Sequence, residues 1–224
     1  MKIEMVVFDM AGTTVDEGNV VYRTLHKAIE KKSATISFED VLKWGAGKEK
    51  LQAIRETLNG KNIILNEQTV LEIFEDFLGL LDKAYENLTV VPTPNTEKLF
   101  NELRYLGIKV VLNTGYNRAT ANSLVRKLNW VEGVNFDLLV TSSDVSKNRP
   151  NPDMILFAMD KLNIKDGKTV IKVGDSTIDI EEGRNAGCVY NIGVTTGAHS
   201  QSELLNAKPD YILDDIYALK ALII

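Results

Sequence analysis

Short apolar runs, each closing on a small polar or acidic cluster, recur along this chain. Met5-Val6-Val7-Phe8 stops at Asp9 and is followed by Ala11-Gly12-Thr13-Thr14. Ile108 to Leu112 ends at Asn113-Thr114-Gly115, and Phe136 to Val140 ends at Thr141-Ser142-Ser143-Asp144. Thr169 to Val173 ends at Gly174-Asp175-Ser176, and Val189 to Val194 at Thr195-Thr196-Gly197. Runs this short, rich in Val, Ile and Leu on both faces, predict buried strands, as in a parallel sheet. Between them the apolar period lengthens to that of a helix. Thr96 to Tyr105, Arg118 to Leu128, Pro152 to Leu162 and Thr177 to Ala186 carry apolar residues three and four apart. Strand and helix in alternation predict an α/β fold with a doubly wound parallel sheet.

Residues 17–91 break that rhythm. Tyr22 to Lys31, Phe38 to Lys43, Lys48 to Leu58 and Asn66 to Asn87 all read as helices, with no convincing strand among them. The chain returns through Val90-Val91-Pro92-Thr93-Pro94, where two prolines stiffen the connection. The expected organisation is therefore a core domain of residues 1–16 and 92–224, with an all-α insert of residues 17–91. Cap movement is expected around residues 14–19 and 90–95.

Composition narrows the function only broadly. Of 224 residues, 44% are hydrophobic and 25% charged, which suits a folded globular chain. Lys and Arg number 26 against 31 Asp and Glu, a net charge of −5 that disfavours nucleic acid or anionic membrane as partner. The lone cysteine, Cys188, excludes an internal disulfide and fits a reducing compartment. The apolar run at the start is too short for a signal sequence, and no stretch is long enough for a membrane span. A cytoplasmic location is expected.

In open parallel sheets, ligands bind at the carboxyl ends of the strands. Asp9, Thr13, Thr114, Gly115, Asp175 and Asp179 are expected there. Carboxylates brought together repel unless a cation intervenes, and a hard divalent ion such as Mg²⁺ prefers oxygen ligands. A lone Asp after a strand is often only a helix cap. Asp175 and Asp179, four apart, place two carboxylates on one face at a helix start, which caps alone explain less well.

These segments resemble the haloacid dehalogenase superfamily of hydrolases. Asp9-Met10-Ala11-Gly12-Thr13-Thr14-Val15-Asp16 looks like its first motif and Asn113-Thr114-Gly115 its second. Arg149-Pro150-Asn151-Pro152-Asp153 looks like the third, and Gly174-Asp175-Ser176-Thr177-Ile178-Asp179 the fourth. The resemblance implies a Rossmann-like core and a helical cap. It implies that Asp9 attacks phosphorus, and that Asp9, the Ala11 carbonyl and Asp175 hold Mg²⁺ with Asp179 in support. Ala11, Gly12, Thr114 and Gly115 would line the phosphoryl group, and Arg149 would neutralise it.

Position 11 departs from the phosphatases of the superfamily, which carry a proton-transferring Asp there. Ala11 resembles the phosphonatase-like branch, which cleaves carbon–phosphorus bonds after a cap lysine forms a Schiff base with an aldehyde. In Trp44-Gly45-Ala46-Gly47-Lys48-Glu49-Lys50, Lys48 falls where that lysine lies. Ala11 and Lys48 favour carbon–phosphorus cleavage of a small phosphonate such as phosphonoacetaldehyde, the expected substrate; Leu51, which stands where the branch carries histidine, counts against it. The alternatives are a phosphorylated metabolite, cleaved in the manner of a phosphoglycolate phosphatase, and an inert phosphate-binding protein. The oligomer, monomer or homodimer, stays open. Tyr22 and Trp44 are expected in the cap core, and His26 and His199 in ordinary structural roles.

Overall fold

The alternation of strands and helices builds a parallel sheet with helices on both faces. The computed structural model describes residues 2–33, 35–86 and 88–223. Strands β1 (Met5–Asp9) and β2 (Val15–Asp16) are followed by helices α1 (Val20–Glu30), α2 (Phe38–Gly45), α3 (Lys50–Gly60) and α4 (Glu67–Glu86). Next come β3 (Val91–Pro92), α5 (Thr96–Tyr105), β4 (Lys109–Thr114), α6 (Arg118–Lys127) and β5 (Leu138–Thr141). The chain continues through α7 (Asp153–Lys161), β6 (Val170–Gly174), α8 (Thr177–Asn185) and β7 (Tyr190–Val194). It closes with α9 (Gln201–Asn206), β8 (Tyr211–Leu213) and α10 (Lys220–Ile223).

The main sheet runs in the order β5-β4-β1-β6-β7-β8, all parallel. Every residue of central β1 is buried, because helices cover both faces. Val6, Phe8, Val110 and Leu112 pack with Leu99, Phe100 and Leu124 on one side. Met5, Val7, Val111 and Val140 pack with Met154, Ile155 and Ala158 on the other. This period-two split sends successive residues of one strand into different layers. The parallel register sets Asp9 beside Asn113 and Phe8 beside Val173, so the acidic end of β1 lies between the Thr114 and Asp175 turns.

The sequence pattern misses two features. A sixth strand, β8, extends the sheet; at three residues its pattern is too short to read. Val91-Pro92, read as a plain linker, pairs antiparallel with Val15-Asp16. That ribbon joins the entry and exit of the helical insert, and Thr93 N–H adds a bond to Thr14 O (3.1 Å). Proline is tolerated there because the ribbon has only two strands and both are edges. Helix α3 begins at Lys50 and not at Lys48, with the Glu49 carboxylate accepting from Leu51 and Gln52 N–H. Lys48 therefore lies in the preceding loop. The predicted end of α4 at Asn87 falls outside the described residues. Among the described residues, no helix is long and apolar enough to cross a membrane.

Candidate active site

Each acidic residue at the site is placed by the end of a parallel strand. Asp9 closes β1, Asp175 follows β6, and Asp179 sits in the first turn of α8. All three are buried, and each offers a carboxylate oxygen within 4.8 Å of the others. Burial and the neighbouring Asp179 push the Asp9 carboxyl up to about 6, against the pull of Arg149. Asp175 is raised well above the carboxylate range by burial and by Asp9 and Asp179. Its Oδ2 accepts from Ala198 N–H (2.6 Å), and among the described residues no cation pairs with it.

Asp179 combines the two roles weighed from sequence. Its Oδ2 closes a capping box with Ser176 at the start of α8, while its Oδ1 lies 3.0 Å from both Arg149 and Lys172. Those two cations hold its pKa down despite full burial. Arg149, 1% exposed, binds Asp9 Oδ1 (2.7 Å), the Asn113 carbonyl (2.8 Å) and Glu182 (2.9 Å).

The sequence patterns assign no role to Lys172 or Glu182. Lys172, fully buried in β6, contacts Asp179 (3.0 Å), Glu182 (3.3 Å) and the Asn113 side-chain oxygen (3.0 Å). The signal was present, since a lysine inside the apolar run Thr169–Val173 must find a buried counter-charge. Gly183 makes room for it: a Cβ there would lie 2.6 Å from the Lys172 Cβ. The buried cluster thus holds four carboxylates (Asp9, Asp175, Asp179, Glu182) against two cations. With all four ionised the surplus would be two negative charges on hard oxygen donors, which fits one divalent cation such as Mg²⁺, and such a cation would relieve the repulsion that raises Asp9 and Asp175.

The residues expected to line a phosphoryl group also converge. Thr114, 2% exposed, ends β4 and accepts from Tyr116 N–H (3.1 Å). Ala11 is buried and bridges to Val15. Gly12 adopts φ +82°, and a Cβ there would lie 2.4 Å from Asp175 Oδ2, so only glycine lets this turn approach the carboxylate. A Cβ on Gly115 would lie 2.8 Å from the Lys48 carbonyl, which records how closely the cap loop covers the Thr114–Gly115 turn.

Further contacts join the cap to the core. Gly47 (φ +73°) presses on Ser176 and Ile178, and its carbonyl accepts from Arg149 (3.3 Å). Gly45 packs within the cap against Ala53 and Thr57. His199 accepts from Thr177 N–H at Nδ1 (3.0 Å) and donates from Nε2 to the Leu42 carbonyl (3.1 Å). Because an N–H must donate and a carbonyl must accept, these bonds select the neutral Nε2–H tautomer. His26 is structural, bonding the Ile36 carbonyl (2.9 Å). Trp44 packs on Gly60.

Tyr22 is buried in the core as expected, and its hydroxyl also accepts from Gly47 N–H (2.9 Å) while its ring lies under Lys50. Lys48 Nζ lies 4.0 Å from Glu56 on α3. Lys50 is the buried lysine of the segment, 6% exposed, and burial pulls its pKa down to about 8. Glu17, just beyond β2, is 2% exposed, and burial pushes it up to about 8. Cys188 is buried with its thiol raised to about 12, which leaves it inert.

Residues 3–187 match the haloacid dehalogenase-like hydrolase family. The chain is 31% identical over 230 residues to phosphonoacetaldehyde hydrolase of Bacillus cytotoxicus, covering 98% of this chain and 85% of that one. It is 34% identical over 210 residues to the bifunctional phosphonoacetaldehyde hydrolase/aminoethylphosphonate transaminase of Clostridioides difficile. That match takes in 88% of this chain but only 32% of the longer protein. Among solved structures, a phosphonoacetaldehyde hydrolase-like protein from Oleispira antarctica superposes with a TM-score of 0.85 at 24% identity, covering 100% of this chain and 92% of that one.

Proposed function

Because this chain belongs to the haloacid dehalogenase-like hydrolases, in their phosphonatase-like branch, we propose that it hydrolyses the carbon–phosphorus bond of a small phosphonate such as phosphonoacetaldehyde. The observation that carries this reading is the pairing of a complete phosphoryl-transfer site with a missing proton carrier. Asp9, Arg149, Thr114 and the three-carboxylate cluster converge, while position 11 is a buried alanine. A site with no acid beside its nucleophile suits a leaving group that departs onto an electron sink.

Asp9 is the nucleophile and carries the phosphoryl group as an aspartyl-phosphate. Asp9, the Ala11 carbonyl, Asp175 and Asp179 would hold Mg²⁺, which when bound supplies neutralisation of the phosphoryl charge. Thr114, the Gly115 amide and the Ala11–Gly12 turn orient the phosphoryl oxygens. Arg149, already on Asp9, stabilises the charge that develops in transfer. The cap residues 17–91 exclude water and supply the amine that makes the aldehyde an electron sink, from the Lys48–Lys50 segment.

A second reading, a phosphomonoester phosphatase of the phosphoglycolate type, is favoured by Leu51, a half-buried apolar residue that carries no proton. Phosphate release from phosphonoacetaldehyde and from a phosphomonoester panel, each with Mg²⁺, separates the two. The phosphonate reading expects acetaldehyde and phosphate in equal amounts. Turnover of esters alone would overturn it.

A further inference from the structure

The hinge of the cap holds a cleft that the proposed reaction does not use. Thr13 lies just before β2 and Thr93 just after β3, so the entry and exit of the cap meet here. Thr196, past β7, and Asp214 and Asp215, past β8, face them from the core across a cavity of about 90 Å³. None of Asp9, Asp175 and Asp179 lines it, so it is separate from the carboxylate cluster. Hydrogen bonds between the segments hold its walls. Thr196 Oγ1 donates to the Gly12 carbonyl (2.6 Å), and Thr93 Oγ1 donates to the Thr13 carbonyl (2.7 Å).

Two independent observations concern the oxygens of this cleft. The first is Thr13, which is fully buried. Its N–H donates to the Met10 carbonyl (3.1 Å) and its own carbonyl is taken by Thr93, yet its hydroxyl has no hydrogen-bond partner. What Thr13 offers the cavity is therefore its side-chain oxygen, and a buried hydroxyl calls for a partner. The second is the pair Asp214 and Asp215, neither of which forms an ion pair among the described residues. Asp214 Oδ1 accepts from the Thr195 hydroxyl (2.8 Å). Asp215 accepts from the Asn95 side-chain amide (2.7 Å) and from Tyr217 N–H (2.7 Å). Every one of these donors is neutral, and no lysine or arginine lines the cavity. A water would partner the hydroxyl but leave two adjacent negative charges unbalanced. A cation that takes oxygen ligands answers both at once.

We infer that this cleft is a second cation site, in which Asp214, Asp215 and the Thr13 hydroxyl take a divalent ion of the Ca²⁺ type and brace the hinge. The donors come from separate segments and the Asp215 oxygens keep their hydrogen bonds, so the shell is irregular. Ca²⁺ accepts about six to eight oxygens in flexible geometry, whereas Mg²⁺ demands a near-ideal octahedron. The cavity leaves room for waters to complete the shell. With two carboxylates, one of them exposed, the affinity belongs at the weak end, a Kd on the order of 10⁻⁴–10⁻³ M. Such an ion ties Thr13, at the entry of the cap, to the core loop after β8. It thereby opposes movement of the β2–β3 ribbon. This inference does not depend on which bond the carboxylate cluster cleaves.

Titration of the ¹⁵N-labelled full chain with Ca²⁺, followed by amide chemical shifts with Mg²⁺ held saturating, tests the site. Saturable shifts of Thr13, Thr93, Asp214 and Asp215, with Asp179 and Thr114 unmoved, are expected. No saturable change at the hinge, or changes at Asp179 and Thr114 alone, would overturn the proposal, the latter marking exchange of the ion at the cluster. The unsubstituted protein suffices for this measurement. Asp214→Asn keeps an acceptor for Thr195 at an exposed position and should weaken Ca²⁺ roughly tenfold or more. Thr13→Val removes only the unpartnered hydroxyl and should weaken it roughly threefold or more. An unchanged Kd in either variant would refute that residue as a ligand and with it the site. The brace has its own readout, hydrogen exchange of Thr93 N–H, which bonds the Thr14 carbonyl across the ribbon (3.1 Å). Saturating Ca²⁺ should slow it roughly tenfold. Equal exchange with and without the ion would refute the brace.

Discussion

Glu17 is a buried acid whose burial ought to be readable as a pH-dependent cost to the fold. Its pKa is 4.5 in the open chain and about 8 in the folded one, with burial as the first cause. Between those values the folded state keeps a proton that the unfolded state has released. Unfolding therefore releases a proton, and stability falls as pH rises across that window. At about 1.4 kcal/mol per pH unit, the cost is under about 1 kcal/mol at pH 5 and about 3 kcal/mol at pH 7. Glu17→Gln keeps the shape and the acceptor for Val21 N–H but removes the titration. The variant should exceed the parent by under about 1 kcal/mol at pH 5 and by about 3 kcal/mol at pH 7, the latter a shift of about 1 M in the urea midpoint. Lys50 does not confound the slope. Its lowered pKa imposes a cost that is constant below pH 8, because both states then hold the proton. Urea unfolding at the two pH values, with Mg²⁺ held fixed, gives the comparison. An equal gain at both, or a loss at pH 7, would refute the assignment of a protonated Glu17.

Ala11→Asp restores a proton carrier beside Asp9 and should raise phosphomonoesterase activity roughly a hundredfold, read by phosphate release; no rise would argue against a missing acid at this position. Gly47→Ala sets a Cβ 2.3 Å from Ile178 at φ +73°, so kcat/KM should fall roughly tenfold or more as the cap loses its seat. Gly18→Ala, with open space around it, should cost only the strain of its positive φ, about 1 kcal/mol in unfolding. Lys172→Met leaves Asp179 and Glu182 short of a counter-charge and should destabilise the fold by about 3–5 kcal/mol in chemical denaturation. Mg²⁺ at a hundredfold excess over its Kd should stabilise the protein by about 2.7 kcal/mol, and the gain should vanish in Asp175→Asn; an unmoved Tm would contradict a cation at the cluster.

The alternation of apolar and polar positions was enough to determine the doubly wound sheet and where its chemistry lies. Parallel strands deliver their carboxyl ends to one edge, so Asp9, Thr114 and Asp175 had to converge once their strands were recognised. The helical insert was legible for the same reason, since periodicity is a local property. What the tertiary structure decided depends on contacts between residues distant along the chain. Lys172 meets Asp179 and Glu182 across the sheet and α8, and His199 ties Leu42 to the core. Lys48 and Lys50 are two residues apart and alike in sequence. One is drawn toward Glu56, and the other is shut between Tyr22 and Tyr116. Glu17 likewise reads as an ordinary surface acid until α1 and the tyrosines close over it. Desolvation sets the charge of both groups, and desolvation is a property of the packed volume around a side chain, which the order of residues alone does not contain.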